Sequence, residues 1–309
     1  MTILVTGGAG FIGSNLVDAF LEKGHRVVVV DNLYMGQMEN LNPEAKFYLM
    51  DIRSPELAKV FELEKIDVIC HQAAQMDVRK SVEDPLFDAD VNVRGTLNLL
   101  QQAVKHGIQR VLFASTGGAV YGEQDYFPAD EEHPTRPCSP YGITKLAVEK
   151  YLYYYHEVFG LEYTILRYAN VYGPRQNPHG EAGVVAIFIS RMLAGEQPII
   201  NGDGKQTRDF VYVGDVVRAN LLALEKGVTD IFNVGTGIET DINTIFHEIN
   251  KLIGKNFPEK HGPEKEGEQR RSVISYEKAR RVLGWEPQVS LQEGLRRTVE
   301  YFREQMKAG

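Results

Sequence analysis

Cysteine is scarce: Cys70 and Cys138 are the only two in 309 residues. Two thiols so far apart build neither a disulfide framework nor a cysteine metal site. A single tryptophan is present, Trp285. No basic tract interrupts a net charge of −8, which argues against the positive footprint of a nucleic-acid binder. No apolar run approaches the roughly 20 residues that a membrane helix needs, so no membrane partner is expected. The eight histidines lack ligand spacing; His71, His156 and His247 need only packing or surface roles, and no metal is expected. The first apolar run starts almost at Met1, leaving no room for a signal sequence, so the expected setting is the cytoplasm. No internal repeat or low-complexity stretch appears, and the length suits two domains with a sizeable core.

What is present begins at the N-terminus. An apolar, β-rich run to Thr6 leads into Gly7-Gly8-Ala9-Gly10-Phe11-Ile12-Gly13 and then a helical pattern to Lys23. Glycines at 7, 8, 10 and 13 let the backbone turn sharply and approach a pyrophosphate at a helix N-terminus. The next strand, Arg26 to Val30, ends in Asp31, about 20 residues on, where a carboxylate accepts ribose hydroxyls and repels a 2′-phosphate. Strand, turn, helix, strand and acid in this order predict an NAD site.

Tyr141 and Lys145 open another predicted helix. Four residues apart, they share one face with Cβ atoms roughly 5–6 Å apart. A cation about 6 Å from a phenol favours the phenolate by roughly 2.8 kcal/mol at an effective dielectric of about 20. That lowers a phenol pKa near 10 by about two units, which suits a general base for an alcohol substrate. On an arbitrary helix this pair would be an ordinary exposed one; the nucleotide-binding pattern around it supplies its meaning.

Strands and helices alternate along the chain, predicting an α/β fold with a Rossmann-type doubly wound parallel sheet. Strands are expected at Thr2–Thr6, Arg26–Asp31, Lys46–Asp51, Asp67–His71, Arg110–Ala114 and Glu162–Arg167, with long helices from about Pro85 to His106 and from Tyr141 to Phe159. Polar and small residues gather at the strand ends: Asp31-Asn32, Asp51-Ile52, Gln72-Ala73-Ala74, Ser115-Thr116 and Tyr168-Ala169-Asn170. Ligands bind along that edge in such sheets. The turn-rich segment from Gly173 to Gly180 marks a transition. The division expected is a cofactor domain over 1–172, with 211–236 returning to its sheet, and a smaller α/β substrate domain over 173–309. A loop is expected over Pro258–Gln269.

Taken in order, these residues resemble the extended short-chain dehydrogenases/reductases and, among them, the UDP-glucose (UDP-galactose) 4-epimerases. The segments carrying the resemblance span essentially the whole chain: Thr6 to Gly13, Val30 to Leu33, His71 to Ala74, Val91 to Thr96, Ser115 to Gly122, Ser139 to Lys145, Leu166 to Arg175, Gly202 to Gly204 with Arg208-Asp209, and Leu283 to Pro287. The resemblance implies NAD contacts from Gly7, Gly10, Phe11, Ile12, Gly13, Asp31, Asn32, Asp51, Ile52, Gln72, Ala73, Ala74, Asn92, Ala114, Tyr141, Lys145 and Tyr168. It implies a UDP-sugar substrate held by Asn170, Val184, Val185 and Arg208. Tyr141 would take the proton of the sugar 4-hydroxyl while C4 gives a hydride to NAD, and Lys145 would hold the nicotinamide ribose. The 4-keto sugar then turns over and is reduced on its other face, so the nucleotide is gripped and the hexose held loosely. A homodimer is implied too, through the two long helices; the tyrosines 151, 153, 154 and 155 could serve that interface or pack on the sheet.

The chain also departs from the commonest family pattern. A hydroxyl that orients the 4-hydroxyl is expected at the end of the fifth strand. Ser115-Thr116-Gly117-Gly118-Ala119 is one residue longer than usual, and counting back from Val120 lands on Gly117, so the loop must bulge. Thr116 is the choice for that role and Ser115 its rival. The paired glycines suggest a close backbone approach to ligand. Lys265 and Glu268 stand where relatives carry an arginine and an aspartate around the nucleotide, and lysine lacks the bidentate fork. Ser272 occupies a position often held by tyrosine, which predicts room for an N-acetylated sugar. Gly117-Gly118 replace the acid pair of a 4,6-dehydratase. A UDP-glucuronate epimerase or decarboxylase is the alternative; a non-catalytic dinucleotide-binding module fits less well, because it would not need the Tyr–Lys pair.

Overall fold

The computed structural model describes residues 1–178, 183–264 and 269–308. In chain order the first half runs β1 (Thr2–Thr6), α1 (Phe11–Glu22), β2 (Arg26–Asp31), β3 (Lys46–Leu49), α2 (Leu57–Glu64), β4 (Val68–His71), α3 (Val78–Glu83), α4 (Pro85–Ala89), α5 (Gly95–Lys105), β5 (Arg110–Thr116) and α6 (Pro140–Phe159). The second runs β6 (Glu162–Tyr168), β7 (Asn170–Tyr172), α7 (Val184–Ala194), β8 (Ile200–Asn201), β9 (Thr207–Tyr212), α8 (Val213–Lys226), β10 (Asp230–Val234), β11 (Glu239–Asp241), α9 (Ile242–Ile253), β12 (His261–Gly262), β13 (Arg271–Ser272), α10 (Glu277–Leu283) and α11 (Leu291–Ala308).

Seven strands form one sheet in the order β10-β6-β5-β4-β1-β2-β3, all parallel. Such a sheet is covered on both faces, and its strands read as continuous apolar runs for that reason. Ile3, Leu4 and Val5 have no exposed surface, and neither do Val28, Val29 and Val30. One face packs on α1, α8 and Trp285, the other on α2, α5 and α6. Strand order reverses between β1 and β4, and the carboxyl edge at such a reversal is where sheets of this kind form their ligand crevice.

The second unit has its own core, built from α7, α9, α11 and the inner sides of β9. Its sheet is pieced together from short, distant segments: β11-β9-β13, with β7 also pairing β9, and a separate β12-β8 pair. The segment around α10 belongs with the first unit, unlike in the division drawn from sequence. Ala279, Leu283 and Trp285 are fully buried in the core beneath the large sheet. Trp285 Nε1 donates to the Asp215 carbonyl at 2.9 Å, which anchors the return.

β4, β6 and α6 differ from the sequence reading by one residue at an end, the short β12 falls within the expected loop over Pro258–Gln269, and three larger differences bear on the site. β3 ends before Asp51, whose carboxylate turns back to accept the Arg53 amide at 2.8 Å. β5 runs two residues further than expected, so Ser115 and Thr116 stay in ladder register with Arg167 and Tyr168. The helix expected from Pro85 to His106 is interrupted by a π-turn over Asp90–Arg94, where Thr96 Oγ1 donates to the Asn92 carbonyl at 2.6 Å. Hydroxyls that compete for helical carbonyls in this way loosen the regular ladder.

Candidate active site

The crevice is built first from backbone. Gly7 sits at φ +71°, and a Cβ there would lie 2.7 Å from the Ala73 amide nitrogen. A Cβ on Gly13 would lie 2.1 Å from the Gly7 carbonyl oxygen. Both positions therefore require glycine, one for conformation and both for space. Gly10 caps α1 with no side-chain acceptor, so the first-turn N–H groups, those of Phe11, Ile12 and Gly13, remain available at the helix's positive end. Thr6 Oγ1 accepts the Ala73 amide at 3.2 Å and meets His71 Nδ1 at 2.7 Å, fixing the two strand ends against each other.

At the end of β2, Asp31 is nearly buried. Its oxygens accept the Ala9 amide at 3.0 Å and the Leu33 amide at 2.8 Å. Burial raises its pKa above the usual carboxylate range, and those two amides pull it back. A carboxylate so anchored keeps one acceptor lone pair per oxygen for a diol and resists an added phosphate. Next to it, Asn32 Nδ2 donates to Asp51 at 2.9 Å. Arg53 holds the Asp51 carboxyl down to about 2 and bridges onward to Asp90 at 2.8 Å. Arg53 was missed in the sequence, although its place two residues past a strand-end aspartate was the available signal. The glycine cradle, free helix end and anchored acid fit a dinucleotide without a 2′-phosphate.

The second component is α6. Ser139 caps it by accepting the Gly142 amide at 3.1 Å, and Pro140 occupies the first turn, so Tyr141 and Lys145 stack as the spacing requires. Lys145 Nζ lies 5.9 Å from the centroid of the Tyr141 ring and 4.9 Å from that of Phe113, and it donates to the Ala114 carbonyl at 2.9 Å. The Ala114 carbonyl is therefore taken by Lys145. Burial pushes the Lys145 pKa down to about 8, against the pull of the Asp88 and Glu149 carboxylates. Burial and the Lys145 charge together push His71 to about 3, so it is a neutral relay between Thr6 and Thr96.

Ser115 and Thr116, adjacent in β5, have opposite fates. The buried Ser115 hydroxyl donates to Glu149 at 2.5 Å, where Glu149 forms a bidentate pair with Arg167 at 3.0 and 2.6 Å. It is part of the core, which corrects its candidacy as the orienting hydroxyl. Thr116 is half-buried, and its Oγ1 and Asn170 Oδ1 lie 3.8 and 3.7 Å from where a Gly118 Cβ would stand. The extra residue is absorbed in a tight turn, in which the Thr116 carbonyl accepts the Val120 amide at 3.1 Å. Packing by itself requires glycine at 117, since a Cβ there would meet Ile274 Cδ1 at 2.6 Å.

The other expected contact residues are placed as follows. Asn92 is buried and its amide bonds Gln75, Asp88 and Thr144, which fix its side chain within the π-turn. Tyr168 turns its hydroxyl into the core, to Asn220 at 2.8 Å and Gln72 at 3.5 Å, and burial raises its pKa. Gln72 is committed to Tyr168 and Cys70, while Ile52 is buried. In the second unit Val185 packs into the core; Val184 is half-exposed at the first turn of α7. Arg208 and Ser272 face each other in register on β9 and β13, and Ser272 is buried. Lys265 and Glu268 lie outside the described residues. Asp209, given no role of its own in the sequence reading, ties this region together: it accepts the Thr236 amide at 2.8 Å and hydroxyl at 2.6 Å, and the Gly237 amide at 3.1 Å. Burial pushes its pKa up to about 6. Among the described residues no cluster could hold a metal ion, and no helix is long and apolar enough to cross a membrane.

Comparison with known proteins gives a consistent picture. Residues 3–235 match the NAD dependent epimerase/dehydratase family. A UDP-glucose 4-epimerase of Thermotoga maritima, solved with UDP-glucose, is 51% identical, with a TM-score of 0.97 over 99% of this chain and 100% of that one. A UDP-glucose 4-epimerase of Thermus thermophilus, solved with NAD, is 44% identical, with a TM-score of 0.93 over 98% and 99% of the two chains. A UDP-glucose 4-epimerase of Mycolicibacterium smegmatis is 47% identical over 98% of this chain and 99% of its own.

Proposed function

The chain belongs to the NAD dependent epimerase/dehydratase family, and we propose that it is an enzyme that inverts C4 of a UDP-hexose, interconverting UDP-glucose and UDP-galactose through a transient 4-keto sugar. One observation carries the reading: an ammonium seated 5.9 Å from the Tyr141 ring and fixed to the end of β5, beside the strand-order crevice. NAD, when bound, supplies the redox chemistry, taking two electrons from C4 and giving them back. The glycine cradle and the free end of α1 hold its pyrophosphate, and Asp31 its adenosine ribose. Tyr141 removes the 4-hydroxyl proton and returns it to the inverted alcohol. Lys145 stabilises the phenolate in between, and Thr116 orients the hydroxyl. Asn170, Val184 and Arg208 grip the uridine diphosphate, an arginine–phosphate pairing being strong and directional. The hexose is held by few groups, as it must be to present both faces.

A second copy of the chain is the partner we infer. Val82 and Leu86 are 63% and 82% exposed, and Ile143, Tyr151 and Tyr154 extend that apolar face along α6. Tyr155 packs into the core instead. Leu86→Asp leaves a monomer in analytical ultracentrifugation if this face joins two copies, and changes nothing if it does not.

Offering UDP-glucose, UDP-galactose, their N-acetyl forms and UDP-glucuronate, and identifying products by NMR, tests the reaction. C4 epimers of the first two are expected. A pentose product, or turnover of the glucuronate alone, would transfer the assignment to the decarboxylase or uronate epimerase.

A further inference from the structure

Asp88 has no exposed surface. Its Oδ1 accepts from Gln75 Nε2 at 2.9 Å and Asn92 Nδ2 at 3.1 Å, and its Oδ2 from Thr144 Oγ1 at 2.7 Å. Among the described residues these are neutral donors, and an asparagine could satisfy all of them by turning its amide toward Thr144, whose own proton then goes to the Tyr141 carbonyl, 3.0 Å away. A carboxylate is costly to bury without a charged partner. The groups around Lys145, the residue after Thr144, supply a reason. From β4 comes neutral His71, and from β5 the Ala114 carbonyl and the Phe113 ring. On α6 itself, Tyr141 lies above, and Glu149 is already neutralised by its bidentate bonds to Arg167. The Asp88 and Glu149 carboxylates both favour the Lys145 ammonium; Glu149 is already paired with Arg167, so among the described residues Asp88 is the one of the two with only neutral hydrogen-bond partners of its own.

We propose that Asp88 is a positioning residue of this site: its buried carboxylate is the counter-charge that keeps Lys145 an ammonium beside Tyr141. The proposal rests on the reading of Tyr141 and Lys145 given above, but its first test does not involve turnover. In protein labelled with [13Cε]lysine, the Lys145 signal, assigned by its loss in Lys145→Arg, titrates near a pH of about 8. Asp88→Asn moves that midpoint down by about one unit, the size expected of one charge acting through a protein interior. Thr144→Val removes a hydrogen bond but no charge, and leaves the midpoint in place while lowering the melting temperature. Epimerisation follows: an ammonium is required, so activity is lost as pH rises through the Lys145 pKa. Asp88→Asn loses about tenfold at pH 8.5 and less than twofold at pH 6.5.

An unmoved midpoint in Asp88→Asn overturns the proposal and leaves the epimerase reading intact; a moved midpoint in a protein with no epimerase activity does the reverse. Should Asp88→Asn not fold, Asp88→Ser is read in the same way. Failure of both to fold, with Thr144→Val shifting the midpoint, assigns Asp88 to architecture alone and also overturns the proposal.

Discussion

The two halves of the site are built by different means. On the cofactor side, the groups proposed as ligands lie at or just beyond the ends of the parallel strands or, for Lys145, on α6 beside them, and each is fixed by a further bond: Asp31 by two amides, Asp51 by Arg53, Lys145 by the Ala114 carbonyl. On the sugar side, Arg208 and Ser272 sit on short strands drawn from distant parts of the chain, with Asp209 as the main internal tie. The first arrangement preorganises a cofactor used in every turnover. The second, on the function proposed above, holds a ring that must show both faces with fewer fixed groups. Precision and tolerance are thus divided between the large sheet and its smaller companion.

That contrast can be broken most severely on the rigid side. Gly13→Ala places a methyl 2.1 Å from the Gly7 carbonyl, and the purified protein is expected to contain almost no NAD by absorbance, with activity falling in proportion. Retention of NAD would mean that the cradle is adjustable. Next comes the pair at the end of β5. Thr116→Val is expected to lower kcat by about 10²-fold with a small change in melting, the size of one positioned acid–base partner. Ser115→Ala leaves Glu149 a donor short and costs about 1–3 kcal/mol of stability in denaturant titration, with kcat little altered. An exchange of these two phenotypes would return Ser115 to the active role. The smallest effect is on the tolerant side: Ser272→Tyr is expected to cut turnover of UDP-N-acetylglucosamine about tenfold while sparing UDP-glucose. Equal losses on both substrates would show that Ser272 does not face the sugar 2-substituent.

The rigid half was also the legible half. Glycine spacing, a strand-end aspartate and a tyrosine–lysine repeat of four are local signals, and the structure displays each in the conformation that the local chemistry requires. What escaped was long-range. Ser115 and Thr116 are indistinguishable in sequence, and only strand alternation and Glu149, 34 residues away, separate them. Asn92 belongs to a familiar run of residues, but the partners that fix its amide, Gln75, Asp88 and Thr144, come from elsewhere in the chain. Asp209 and Trp285 act by tying segments that sequence order keeps apart, so no periodicity announces them. The Asp88–Asn92 pair did leave a trace, a carboxylate and an amide four residues apart on one helical face. That trace has meaning only once α6 is known to lie against it.

The central claim is that the Tyr141 hydroxyl moves the proton while Lys145 supplies the neighbouring charge. Tyr141→Phe tests it most directly: kcat for UDP-galactose is measured by coupled assay, and NAD content and melting temperature are followed in the same preparation. The expected result is a loss of about 10³-fold or more, with NAD content and melting temperature unchanged. Turnover within tenfold of the parent protein would contradict the account.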